Sequence, residues 1–169
     1  MRDGKLSAAD LRFLRHLLDG GRAVMTPGHG LGVYHPSGVR YGLSGTYPYK
    51  LSQRGLVAVG GLLDGQRAVA LTPDGALVAE AHQHTTALPD AALNLLDHLA
   101  RGRLAWVGLG GKLWLAGKLS GHLAPAMVAL LDAGYAQVMD PDMPRCPDRR
   151  VLLTTAGRRF YHDLTTVSS

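Results

Sequence analysis

The chain has one cysteine, Cys146, in 169 residues. A single thiol cannot close an internal disulfide, and it excludes a cysteine-only zinc site. That usage fits a reducing, cytoplasmic setting. No window approaches 18 consecutive apolar residues, so neither a transmembrane helix nor a membrane partner is expected. The opening stretch MRDGKLSAAD has no apolar run, and no signal peptide is expected there. Catalytic patterns are missing too. GLGGK at Gly108–Lys112 lacks the G-x-x-x-x-G-K-[ST] spacing of a phosphate loop and reads as a hairpin turn. No paired carboxylates stand out for acid–base work, and nothing supplies Cys146 with a base. His82 and His84 with Cys146 fit no common zinc spacing. The sequence therefore points away from an enzyme, and no metal and no cofactor are expected.

What is present is enough to build a core. Hydrophobic residues make up 46% and charged residues 18%. The 22 glycines predict many turns and short strands. The formal net charge is +5, with a pI near 9.7, and both halves share the positive excess. Such a balance suits a polyanionic partner, nucleic acid above all. It also suits a surface charged for solubility.

The chain repeats itself. LTPDG at Leu71–Gly75 and LTTAG at Leu153–Gly157 lie 82 residues apart. LSAADLRFLRHLLDGG and LPDAALNLLDHLARGR, starting at Leu6 and Leu88, have the same offset. Gly20 then falls on Gly102. A third match, LSQRGLVAV against LLDAGYAQV, pairs Gly55 with Gly134 at an offset of 79. The loop MDPDMPRCPDRR is three residues longer than GGLLDGQRA, which restores 82. Three landmarks in register predict two divergent copies, residues 1–82 and 83–169, joined near His82–Leu88.

Each copy carries the same succession of signals. Leu11, Leu14, Leu17 and Leu18 form one helical face, which Ser7 and Asp10 open and Gly20 stops. LGVYHPSGVRYGL and LAWVGLGGKLWLAG read as hairpins. Trp106 and Trp114 alternate with small residues there, a pattern commoner in a core than in a ligand platform. Next comes a helix with Thr46 or Ser120 as its candidate cap and Gly55 or Gly134 as its stop. Two strands around a loop follow, then LTxxG and a last helix.

RGLVAVGGLLDGQRAVALTPDGALVAEA and DAGYAQVMDPDMPRCPDRRVLLTTAGRRFYHDL are similar to the winged helix (winged helix-turn-helix) DNA-binding superfamily. The resemblance covers about a third of each half closely. It implies a fold of α+β class, with tandem winged-helix-like domains, each of helices plus short antiparallel β-hairpins. It also implies a reading helix before RGLV, and a wing between the paired strands. The short second helix of the family is replaced here by Gly-rich hairpin sequence, so a hairpin variant is expected.

The resemblance places candidate DNA contacts in both copies. In the first they are Tyr47, Tyr49, Lys50, Gln53 and Arg54 on the reading helix. Gln and Arg suit base edges, and Lys suits phosphate. In the second, the helix HLAPAMVALLDAG has only Lys118 and His122 near its start and otherwise suits packing, including a homodimer or protein contact. The wing of that copy carries Arg145, Arg149 and Arg150, for phosphates or a minor groove. Asp140, Asp142 and Asp148 in the same loop offer those arginines a purely local role. The expected function is binding of double-stranded DNA, most simply in transcription regulation. The alternative is a phage- or plasmid-type adaptor or inhibitor that docks on another protein complex.

Overall fold

A computed structural model of the protein describes residues 4–84, 87–140 and 148–167. The chain divides into two compact units. The first is Met1–Pro36 with Tyr41–Gln83, and the second is Ser37–Arg40 with His84–Ser169. Among the described residues, six α-helices and two five-stranded sheets make an α+β protein. No helix of the described residues is long and apolar enough to cross a membrane.

The first unit opens with α1 (Ala8–Leu18). The Ser7 hydroxyl accepts the Asp10 N–H, and the Asp10 carboxylate accepts the Ser7 N–H, so two orphan donors are satisfied reciprocally. Strands β1 (Arg22–Thr26), β2 (Gly30–Tyr34) and β3 (Arg40–Leu43) follow. Helix α2 (Tyr47–Ser52) is short, with Pro48 in its first turn, where a missing N–H costs nothing. Thr46 precedes it without a side-chain cap bond. The unit ends with β4 (Val57–Val59), β5 (Arg67–Leu71) and α3 (Pro73–Glu80). The sheet order is β3-β2-β1-β5-β4.

The second unit repeats that order. Its elements are α4 (Asp90–Ala100), β6 (Ala105–Val107), β7 (Leu113–Leu115), β8 (Lys118–Leu119), α5 (Ala124–Asp132), β9 (Ala136–Val138), β10 (Arg149–Leu153) and α6 (Thr155–Val167). The sheet order is β8-β7-β6-β10-β9. Register agrees as well as order. Ala23 faces Val69 in the first sheet, and Ala105 faces Val151 in the second. Val57 faces Leu71, and Ala136 faces Leu153. Both cores use the same places: Phe13, Leu14, Leu31 and Leu51 are buried in one, Leu95, Leu96, Leu113 and Leu130 in the other.

The repeated LTxxG stretch acts as a clasp. The Thr72 hydroxyl donates to the Gly55 carbonyl at 2.6 Å and accepts the Gly75 N–H at 3.0 Å. Thr154 does the same between Gly134 and Gly157, at 2.6 and 3.0 Å. One hydroxyl therefore caps the start of the last helix and ties it to the end of the middle helix. Gly55 and Gly134 sit at φ +72° and +77°, the left-handed geometry that ends a helix cheaply only in glycine. Gly75 and Gly157 are required for a different reason. A Cβ at either would run into the carbonyl oxygen of Leu56 or Tyr135.

Candidate nucleic-acid interface

In the first unit, the candidate contacts on α2 and just past its end separate into two groups. Tyr47 and Lys50 turn toward α1. The Tyr47 hydroxyl donates to Asp10 Oδ1 at 2.8 Å, and its ring meets Phe13 edge-on at 5.4 Å. Lys50 Nζ lies 3.2 Å from Asp10 Oδ2. The Asp10 side chain is only 1% exposed, so the pairing compensates a carboxylate that has lost its water. Burial raises the Asp10 carboxyl, and hydrogen bonds from Ser7, Tyr47 and Lys50 outweigh it, holding the group below its ordinary value. Burial, then the bond to Asp10, raises the Tyr47 hydroxyl.

The second unit shows what this network replaces. The places of Asp10, Tyr47 and Lys50 are held there by Ala92, Ala126 and Ala129, all buried. One copy closes the seam between its first and middle helices with charge and hydroxyl, the other with methyl groups. Tyr49, Gln53 and Arg54 form the second group and face solvent.

Beyond α2 the chain makes the β4–β5 hairpin. Asp64 and Gly65 adopt φ +51° and +75°, as a tight hairpin turn demands, and Leu63 bridges Gln66 across it. Leu62 and Leu63 next to this turn are 57% and 75% exposed.

In the second unit, α5 is closed in. Ala124 and Ala126–Leu130 are buried, so it offers no polar reading face. Lys118 on β8 and His122 in the turn before α5 are exposed. Ser120 does not cap α5. Its hydroxyl donates to the Lys118 carbonyl at 3.0 Å instead. Arg145 and Cys146 lie outside the described residues. Arg149 is half-buried and donates through Nη2 to the Ser37 carbonyl within the same unit. Arg150 is exposed on β10 and lines an open cleft of about 420 Å3 with Arg103, Arg158 and Tyr161. Trp106 and Trp114 are half-buried and line a second cleft, of about 460 Å3, with Lys112.

Sequence reasoning passed over Arg103, Arg158 and Lys112 and inclined toward the core for the two tryptophans. The alternation held a usable signal. Ala105 and Val107 flank Trp106, and Leu113 and Leu115 flank Trp114, so each indole lies on the face opposite the buried residues.

No protein-family model, curated protein or solved structure matches the chain.

Proposed function

We propose that the chain binds double-stranded DNA as a pair of winged-helix-like units, with the first unit as the sequence reader and a regulatory role as its simplest use. The observation that carries this reading is the path of the first unit. Strand β1 leads, through the β2–β3 hairpin, to helix α2. The β4–β5 hairpin then returns so that β5 lies between β1 and β4. A helix followed by such a hairpin is the reading-helix and wing arrangement of the winged helix superfamily, and β2–β3 occupies the place of its second helix. Tyr49, Gln53 and Arg54 are exposed polar groups at this end of the helix, and Gln and Arg are suited to adenine and guanine edges.

The test is fluorescence anisotropy of a labelled duplex pool across a salt series. Wild-type affinity falls steeply as salt rises. Gln53→Ala with Arg54→Ala weakens binding roughly tenfold or more. Unchanged binding by that folded variant refutes the assignment.

A second reading, docking on another protein complex, is favoured by Leu62 and Leu63. Two adjacent exposed leucines on a hairpin suit an apolar partner better than a phosphate backbone. Duplex binding that is absent at low salt, together with loss of partner capture on Leu63→Ser, supports that alternative.

A further inference from the structure

The second sheet carries a row of large side chains on the face opposite its core. Register places Arg150 opposite Trp106, Trp106 opposite Trp114, and Trp114 opposite Leu119. Met139 extends the row, its N–H donating to the Arg150 carbonyl at 2.8 Å. The row thus crosses four strands, β10, β6, β7 and β8, and reaches the residue just after β9. The equivalent row of the first sheet holds Ala68, Val24 and Gly32. Two indoles and a guanidinium therefore appear in one copy where the other has small residues, although the core-facing places of the two sheets remain alike. Nothing in the fold requires this bulk, because the first unit builds the same sheet without it.

The surroundings of the row are cationic. Lys112 lies beside the tryptophans in one cleft, and Arg103 and Arg158 join Arg150 in the other. Among the described residues, none of these four cations takes part in an ion pair. Asp148 is the acid in the tryptophan cleft. Near the other cleft, the Asp97 carboxylate accepts the Tyr161 hydroxyl at 2.7 Å and Arg101 Nε at 3.0 Å, which offsets its charge. The carbonyls of Asp97, His98 and Leu99, where α4 ends at this cleft, are taken by the N–H groups of Arg101, Arg103 and Gly102.

We propose that this face of the second unit binds single-stranded nucleic acid. Trp106 and Trp114 stack unpaired bases, and Arg150, Arg103 and Lys112 take the flanking phosphates. Indole faces beside unpaired cations match a strand that offers π-faces and negative charge together. A duplex hides its base faces, and an apolar protein partner leaves the four cations uncompensated. The inference goes beyond duplex reading by the first unit and stands on the second unit alone.

Trp106 and Trp114 are the only two tryptophans in the chain, so intrinsic emission reports on this face. The full chain is titrated with an oligothymidylate of about eight nucleotides at low salt. Saturable quenching is expected. Trp114→Leu and Arg150→Gln each weaken binding roughly tenfold, and Arg150→Gln flattens the log–log salt slope by about 0.7. Arg159→Gln, next to Arg158 in sequence but outside both clefts, binds as the parent does. Arg103→Gln with Arg150→Gln alters only exposed side chains and carries the test if a tryptophan variant fails to fold. Four results overturn the proposal. They are absence of quenching, full binding by the double arginine variant, equal loss in Arg159→Gln, and equal quenching by a blunt duplex or a heparin fragment. Duplex binding is read separately, by anisotropy and the Gln53 and Arg54 variants, so either reading can fail without the other.

Discussion

Lys50 Nζ reaches the Asp10 carboxylate, which is buried, at 3.2 Å. The contact joins the middle helix of the first unit to its first helix, and it gives Lys50 a structural role on α2. Lys50→Ala is expected to lower the melting temperature while leaving duplex affinity within about twofold. A double-mutant cycle with Asp10→Ala should give a coupling of about 1 kcal/mol, because the Lys50 side chain is 57% exposed and its charge is screened. A tenfold loss of duplex binding in folded Lys50→Ala would move this lysine into the interface.

The clasp residues should be among the most sensitive in the chain. Gly75→Ala and Gly157→Ala each drive a methyl group into a fixed carbonyl and are expected to cost about 2–3 kcal/mol. Thr72→Val and Thr154→Val remove the cap and leave a helix-end carbonyl without its donor, at about 1–2 kcal/mol each. Thr72→Ser keeps the hydroxyl and should retain most of the stability. Urea unfolding measures all five. Equal losses for Thr72→Ser and Thr72→Val would show that the hydroxyl is not what matters.

Stability should fall at both ends of the pH scale for reasons rooted in one network. The folded Asp10 carboxyl is held below its ordinary value. Its contribution is present above about pH 4 and is lost as pH falls through the folded value. The folded Tyr47 hydroxyl is raised, first by burial and then by Asp10. Its contribution is complete below about pH 10 and is lost above it, where the unfolded chain's tyrosine ionises. Thermal melts followed by circular dichroism should show a plateau between these limits. Asp10→Asn should flatten the acid limb, and Tyr47→Phe the alkaline one. An acid limb unchanged in Asp10→Asn would assign it to other carboxylates.

Much of the fold was legible because its signals are local and occur twice. The Ser7–Asp10 start, the Gly55 and Gly134 stops and the Leu11–Leu18 stripe each follow from short-range chemistry, and the first and middle helices begin or end where those signals stand, whereas β1 and β8 carry no such local signal and were not read. The LTxxG repeat located the last helices, but its role was hidden. The close approach of Gly75 to the Leu56 carbonyl joins residues far apart in sequence. The same limit applies to the candidate site. Tyr47, Lys50 and Arg54 share one helix or its end, and period alone does not say which side faces α1. The buried Asp10 decides that, and it was read only as a helix cap. Arg103, Arg150 and Arg158 come from three separate segments, so only the folded chain brings them to one cleft.

The clasp also bears on how the two copies came to differ. It secures each unit through backbone carbonyls, two glycines and one threonine, none of them on the outward side of the sheet. That side is left free to accept new chemistry without loosening what lies beneath. Trp106, Trp114 and Arg150 stand there in one copy alone, and the clasp beneath them is the same as in the other.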